Sequence, residues 1–471
     1  MGVCCYLAGQ CAVITLFQDQ DESIAGVRDA FRQSPSVLLV APTGFGKTVA
    51  FSYICASAVA KGKRVWIMAH RVELVDQIAD TLKAFNVAFG YIAAGYPKAP
   101  AMRVQVASVQ TLARRMDDHE KPDLIIVDEA HHATTKNTIG RILAACPSAK
   151  VLGVTATPTR LSGEGMGDVF KSMVLGPSVQ SLIDNGRLSP VTVYAPPTVD
   201  LSGLHVRAGD FVISEAAAAM DKPKITGDAV THYRRLADRK RGVAFCTSVD
   251  HARHVAMQFV DAGYRSVHVD GGMDRYQRRQ VVDAFKKGEI NVLTSCDLVS
   301  EGFDCPGIEV GISLRPTAST GLWIQQVGRC IRSFAGKSRA IILDHAGNTL
   351  RHGLPTEERE WTLQAREQVR KRNDGGSVLS VRVCPQCFGT QLSGATRCRE
   401  CGYVYPIAAR KVESVEGELQ EVIATKAARK EQGTAKSIEA LIELGRARGY
   451  KDPIAWANYV YRGRQQKRRA A

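Results

Sequence analysis

The sequence predicts an α/β protein of two tandem parallel-sheet domains, followed by a small cysteine ribbon and a basic helical tail. Three observations predict it. Short, continuously apolar runs alternate with helix-like stretches over residues 16–184, the alternation restarts near residue 243 and lasts to 343, and two Cys-x-x-Cys pairs stand beyond it. Apolar runs without polar alternation suit strands buried on both faces, as in parallel sheets covered by helices.

The first domain is expected over 1–188. Its opening, Met1 to Phe17, is apolar but lacks a basic leading region and carries Gln10 in its middle, so it does not read as a secretion signal. Strands are expected at Val37–Val40, Val65–Ala69, Val104–Ala107, Leu124–Val127 and Val151–Val154, each followed by polar or Gly/Pro punctuation. The segment Pro190 to Lys224, with Pro196-Pro197 and an alanine run, reads as a connection. The second domain, 189–350, is expected to hold strands at Val243–Cys246, Ser266–Val269, Val292–Thr294, Val310–Ser313 and Ala340–Leu343. Residues 351–380 read as a charged linker helix, carrying Glu357-Glu-Arg-Glu and ending at Asn373-Asp-Gly-Gly. The ribbon occupies 381–407, and the basic region 408–471 holds a helical stretch near Ser437 to Arg448.

A chain of 471 residues exceeds what one core usually serves. With Lys and Arg at 62 against Asp and Glu at 47, the net charge is +15, which favours polyanionic partners and nucleic acid first. Solubility alone also accounts for such a charge. No stretch reaches the roughly 18 uninterrupted apolar residues of a membrane span. A soluble, cytoplasmic protein without membrane partners is expected, and the scattered cysteines among the 13 suit a reducing compartment.

The chemistry begins at Ala41-Pro-Thr-Gly-Phe-Gly-Lys-Thr48, which follows one apolar run and precedes a helix-like segment. A Gly-rich turn in that setting presents backbone N–H groups to phosphates. Thr43, Gly44 and Gly46 would line the cradle, Lys47 would reach the β- and γ-phosphates, and the Thr48 hydroxyl would hold Mg²⁺. ATP is the expected ligand. Leu124-Ile-Ile-Val-Asp-Glu-Ala-His131 is an apolar strand ending in two acids, which places Asp128 to bind Mg²⁺ and Glu129 to polarise the attacking water. The second domain has no phosphate loop of its own, so it is expected to complete the first domain's site across a cleft.

On these residues the chain resembles a superfamily 2 helicase of the Asp-Glu-Ala-His type, a likeness that spans both domains and implies RecA-like folds. Thr155-Ala-Thr-Pro158 resembles the family's third motif, so Thr155 and Thr157, with His131 and Gln325, are implied to couple hydrolysis to domain movement. Gln325-Gln-Val-Gly-Arg-Cys-Ile-Arg332 resembles the sixth motif, whose arginines reach across to the γ-phosphate. Arg329 and Arg332 lie three apart and are expected on one helical face, where they would stabilise charge on the transferring phosphoryl group only when the domains close.

Further segments match the family more loosely. Leu16-Phe-Gln-Asp-Gln20 resembles the stretch whose last residue reads adenine, which makes Gln20 the candidate, although the usual arginine and tyrosine are missing. Ala69-His-Arg-Val-Glu-Leu-Val-Asp-Gln77 and Ser108-Val-Gln-Thr111 resemble strand-tracking motifs, implying nucleic-acid contacts at Arg71, Ser108, Gln110 and Thr111. Ser300-Glu-Gly-Phe-Asp304 and Leu314-Arg-Pro-Thr317 resemble the fifth motif and its following loop. Gly302 and Asp304 are then implied near the ribose, and Thr317 near the nucleic-acid backbone.

Cys384, Cys387, Cys398 and Cys401 form a four-thiolate pattern suited to structural Zn²⁺. A helicase core, a linker and such knuckles resemble the RadD-like bacterial and phage helicases, implying work on DNA in repair, recombination or phage replication. Trp456 and Tyr459 to Tyr461, followed by Arg462, Arg464, Lys467, Arg468 and Arg469, are candidates for stacking on bases while the cations meet phosphates; a disordered basic tail is the alternative. The expected activity is an ATP- and Mg²⁺-dependent DNA helicase or translocase on single-stranded or forked DNA, with a replication or repair protein as a further partner. An RNA helicase, a motor subunit of a restriction complex and an ATP-switched zinc scaffold are the alternatives.

Overall fold

The structure, a computed structural model, describes residues 3–7, 10–160, 163–196, 203–296, 307–364, 381–406, 434–435, 437–450, 452–458 and 460–461. It divides into two compact units, Met1–Tyr405 and Pro406–Ala471. The larger opens with an antiparallel hairpin, β1 (Val3–Leu7) and β2 (Gln10–Ile14), and with helix α1 (Gln18–Gln33).

The first sheet comprises β3 (Ser36–Val40), β4 (Val65–Ala69), β5 (Gly90–Ile92), β6 (Val104–Ser108), β7 (Leu124–Asp128), β8 (Lys150–Thr155) and β9 (Ser172–Leu175). Its spatial order is β5-β6-β4-β7-β8-β3-β9, and every pairing is parallel. β3, β4, β6 and β7 are buried along their whole length, as their unbroken apolar character demands. Helices α2 (Lys47–Val59), α3 (Val72–Ala84), α4 (Val109–Arg115), α5 (Thr138–Ala144) and α6 (Val179–Asp184) connect or flank the strands. The two edge strands, β5 and β9, lie outside the runs that the sequence marks, because edges are short and only partly covered.

The second sheet is also parallel throughout: β10 (Val191–Tyr194), β13 (Gly242–Phe245), β14 (Ser266–Val269), β15 (Val292–Ser295), β16 (Val310–Ser313) and β17 (Ala340–Asp344), in the order β10-β17-β16-β13-β15-β14. A small hairpin, β11 (Val206–Arg207) and β12 (Asp210–Phe211), precedes β13. Helices α7 (Ile213–Met220), α8 (Pro223–Ala237), α9 (Val249–Asp261), α10 (Arg275–Lys286), α11 (Thr320–Cys330) and α12 (Asn348–His352) accompany it. The expected connection from Pro190 is corrected at its start. Val191–Tyr194 is an edge strand of the second sheet, hidden from sequence reading by flanking prolines and only four residues.

The linker helix expected over 351–380 is also corrected. α12 ends at His352, residues 353–364 are not helical, and 365–380 lie outside the described residues. Arg359 folds this segment into a turn by donating to the carbonyls of Glu357, His352 and Leu354 at 2.9, 3.0 and 2.9 Å. Trp361 and Leu363 then pack against the core of the first sheet, where the Gly167 N–H donates to Leu363 O at 3.0 Å. The chain thus crosses between the two sheets a second time.

The ribbon carries β18 (Val381–Val383) and β19 (Thr390–Leu392) and docks on the exposed edge of β10. Ala195 N donates to Phe388 O (3.1 Å), Thr390 Oγ1 to Val193 O (2.8 Å), and Arg339 and Thr192 both reach Glu400. An otherwise unpaired sheet edge is covered in this way. In the smaller unit, α13 (Ile438–Ala447) is followed by a turn that brings Trp456 to 5.0 Å from the Tyr450 ring. Trp456, expected to stack on bases, has an intramolecular partner. No helix among the described residues is long and apolar enough to cross a membrane.

Candidate active site

The site is assembled from the C-terminal ends of the strands of the first sheet, where loops of α/β folds gather. β3 leads into the phosphate loop and then α2. The backbone turns inward there because Gly44 and Gly46 adopt φ of +90° and +84°, a region that L side chains enter at a cost. A Cβ on Gly46 would also stand 2.6 Å from Gln20 Nε2. Lys47 Nζ donates to Ala41 O and Pro42 O at 3.2 and 3.4 Å, loop carbonyls lying where its ammonium can swing toward phosphate.

Two strands away in sheet order, β7 delivers Asp128 and Glu129. Asp128 is buried and accepts the Glu129 N–H at 3.0 Å; Glu129 sits in the left-handed region at φ +47°. Burial pushes the Asp128 carboxyl up and the Glu129 charge adds to it, against Lys47 and Arg329. Glu129 goes the other way. Burial opposes its charge, but the hydrogen bond and charge of His131, with Lys47 and Arg329, hold it below the usual carboxylate range. An anionic Glu129 next to a carboxyl that gains most from a cation fits one water-orienting and one metal-binding group. Thr48, at the start of α2, and Asp128 are the residues that would hold Mg²⁺. The ion would neutralise phosphate charge there.

His131 links this pair to the third motif. Its Nδ1 lies 3.4 Å from Glu129 Oε2 and 3.1 Å from Thr155 Oγ1, and that hydroxyl donates to Thr157 O at 3.0 Å. Thr155 and Thr157 are fully buried, and the Thr157 hydroxyl lacks a hydrogen-bond partner among the described residues. A Cβ on Gly321 would stand 3.2 Å from that hydroxyl, so the N-terminal end of α11 rests directly on the third motif.

α11 closes the cleft from the second sheet. Gly328 lets it approach so near the phosphate loop that a Cβ would fall 2.8 Å from Thr43 Oγ1. Gln325 is buried on the same helix, and Arg329 is close enough for its charge to act on Lys47, Asp128 and Glu129. Burial lowers the Lys47 pKa, and the Arg329 and Arg332 charges lower it further, against Glu129 and Asp128. A cation-rich, desolvated cradle of this kind favours a polyphosphate. One expectation changes: α11 ends at Cys330, so Arg332 is not on its face. An antiparallel bridge with Leu188 holds Arg332 just past the helix.

The other expected residues divide. Gln20 is buried, with Nε2 donating to Phe45 O (2.7 Å) and Oε1 accepting from Phe17 N (3.1 Å), which makes it a brace of the phosphate loop. Arg71 precedes α3 at the end of β4; Ser108 caps α4 at the end of the neighbouring β6 and donates to Thr111 Oγ1 at 2.9 Å, leaving Gln110 exposed. Thr317 is corrected. It is fully buried, donating to Asp210 Oδ1 (2.8 Å) and accepting at its carbonyl from Arg351, so its hydroxyl shapes the loop from inside rather than facing a strand. Gly302 and Asp304 lie outside the described residues. Sequence reading missed Arg187, which carries no motif spacing, and gave no part to Phe17 and Asp19, which lie within the Leu16–Gln20 stretch and meet Arg187 beside the loop.

At the ribbon, the sulfurs of Cys384, Cys387, Cys398 and Cys401 all lie within 4.8 Å of one another. The Cys384–Cys401 and Cys387–Cys398 separations are 3.6 and 3.7 Å, close to the roughly 3.8 Å edge of a tetrahedron with Zn–S bonds of about 2.3 Å.

A phosphate loop, a strand-end acid pair and a cross-cleft arginine on tandem parallel sheets define an ATP-hydrolysing enzyme of the tandem-sheet motor class. Residues 13–160 match the family described as type III restriction enzyme, res subunit, and residues 223–334 match the helicase conserved C-terminal domain. A 51.5 kDa protein of a Lactococcus phage is 34% identical over 386 residues, covering 81% of each chain. A Saccharomyces cerevisiae protein named as the ATP-dependent helicase IRC3 is 28% identical over 357 residues, 70% of this chain but 51% of its own length. A fragment of an HsdR subunit of a type I restriction enzyme from Vibrio vulnificus shares the fold at a TM-score of 0.57 with 21% identity, covering 71% of this chain and 65% of that one. The chain belongs to the superfamily 2 helicases.

Proposed function

We propose that the chain is an ATP- and Mg²⁺-driven translocase or helicase on DNA, of the RadD-like kind, working in repair, recombination or phage replication. The observation that carries this reading is the placement of α11: one helix of the second sheet touches Thr43, Thr157 and the charged heart of the site at once. ATP bound between the sheets pulls them together, Glu129 orients water, Arg329 completes charge stabilisation, and release lets the sheets part. His131 and Thr155 pass the change from the acids to the third motif. Strand contacts come from Arg71, Gln110 and Thr111 at the ends of two adjacent strands, a setting suited to phosphate tracking without sequence reading.

DNA is favoured over RNA by the restriction-enzyme family whose model residues 13–160 match, while the +15 net charge suits either polyanion. The phage relative supports a phage setting. Cys384, Cys387, Cys398 and Cys401 would hold structural Zn²⁺, which would supply folding stability to the ribbon rather than chemistry. The test is ATP turnover with single-stranded, duplex and forked DNA and with RNA, read beside strand separation on 3′- and 5′-tailed substrates. Stimulation greatest with DNA supports the reading; stronger stimulation by RNA overturns it.

A further inference from the structure

A phosphate cradle requires its N–H groups to point inward, so the loop carbonyls must point outward and find donors elsewhere. For the carbonyls of Gly44 and Phe45 the donors come from outside the motif. Arg187, between α6 and β10, reaches Phe45 O and Gly44 O with its Nη2, the latter at 3.4 Å, while Gln20 supplies a second donor to Phe45 O. The guanidinium is clamped by both oxygens of Asp19 at 2.5 and 2.6 Å and lies 4.1 Å from the Phe17 ring centroid. Side-chain exposures of 11% for Arg187 and 17% for Asp19 place the pair under the loop rather than on the surface.

The same short segment touches the sixth motif. Leu188 bridges Arg332, Ser189 N donates to Ile331 O at 2.7 Å, and Ser333 Oγ donates to Arg187 O at 2.9 Å. Leu188 also packs against Gly44, where a Cβ would collide with it. Residues 187–189 are one of the crossings between the two sheets, so the loop's outward carbonyls and the arginine motif share one strut.

We propose that Arg187 is a positioning residue for nucleotide binding, fixing the phosphate loop in its phosphate-accepting form and tying that form to the position of Arg332. It acts through the loop and does not touch the reacting atoms. The inference rests on the ATP site and is independent of which strand the motor follows.

Fluorescent-ADP titration of the full chain without nucleic acid, thermal melting, and KM and kcat for ATP would be compared in wild type, Arg187→Gln, Arg187→Lys and Asp19→Asn. Arg187→Gln should weaken nucleotide binding and raise KM by about tenfold to a hundredfold, since charge-assisted bonds to the loop are lost. kcat should fall less than KM rises. Arg187→Lys keeps the charge beside Asp19 but not the fork, so it should restore the melting temperature and not the affinity. Wild-type affinity in Arg187→Gln, or full recovery of affinity in Arg187→Lys, overturns the proposal. Should Arg187→Gln fail to fold, Asp19→Asn decides: raised KM at an unchanged melting temperature supports the role, and unchanged KM overturns it.

Discussion

Glu129 and Asp128 are neighbours in sequence with opposite electrostatic fates, and the proposed division between water and metal ion is consistent with that contrast. Replacing Glu129 with Gln keeps its shape and removes the charge proposed to orient water. Turnover should drop by about a hundredfold or more, with ATP binding retained, as read by steady-state hydrolysis beside nucleotide titration. His131 carries a different prediction. Its Nδ1 lies beside both Glu129 and Thr155, so His131→Ala should cut stimulation by DNA more than basal hydrolysis. Equal loss of both rates would sink the coupling role. Lys47, Thr48 and Asp128 were legible in the sequence because phosphate and metal chemistry demand those residue types at fixed spacing beside a strand. Arg187 was not, since its partner Asp19 lies 168 positions away and only folding brings them together.

Among the elements, the strands buried on both faces were readable because their apolar runs are unbroken, while β5, β9 and β10 escaped as short edge strands. Thr317 shows the same lesson in reverse. A hydroxyl in a loop resembling a strand-contact motif suits phosphate binding, yet its burial and its bond to Asp210 are tertiary facts. Thr317→Val should therefore cost about 1–3 kcal/mol of stability by leaving Asp210 under-satisfied, measured by urea unfolding, with little direct change in DNA affinity. A second stability prediction rests on α9. His251 is fully buried; its Nδ1 accepts from Thr247 N, and burial lowers its pKa from 6.5 to about 4. The folded chain keeps it neutral and the unfolded chain protonates it first, so its contribution is complete above pH 6.5 and is lost as pH falls toward 4. The loss is on the order of 3 kcal/mol for this residue. Urea midpoints that stay flat over that window in wild type, or fall as steeply in His251→Gln, would refute this source.

At the scale of the whole molecule, the ribbon belongs to the motor's second sheet, because it covers the edge of β10 and pairs Glu400, between two cysteines, with Arg339. Metal analysis should find one Zn²⁺ per chain. Stripping it with a chelator should lower the melting temperature and open the 381–406 segment to protease while nucleotide affinity persists. A metal-free chain with unchanged melting would contradict the structural role. If two sheets share one ATP site whose closure drives movement on DNA, as proposed, both must be present for turnover. ATP hydrolysis with Mg²⁺, with and without DNA, in wild type and Arg329→Ala, beside nucleotide titration, tests this. DNA should stimulate the wild type, while Arg329→Ala should bind nucleotide and lose about a thousandfold in stimulated turnover. Wild-type DNA-stimulated turnover in Arg329→Ala would contradict it.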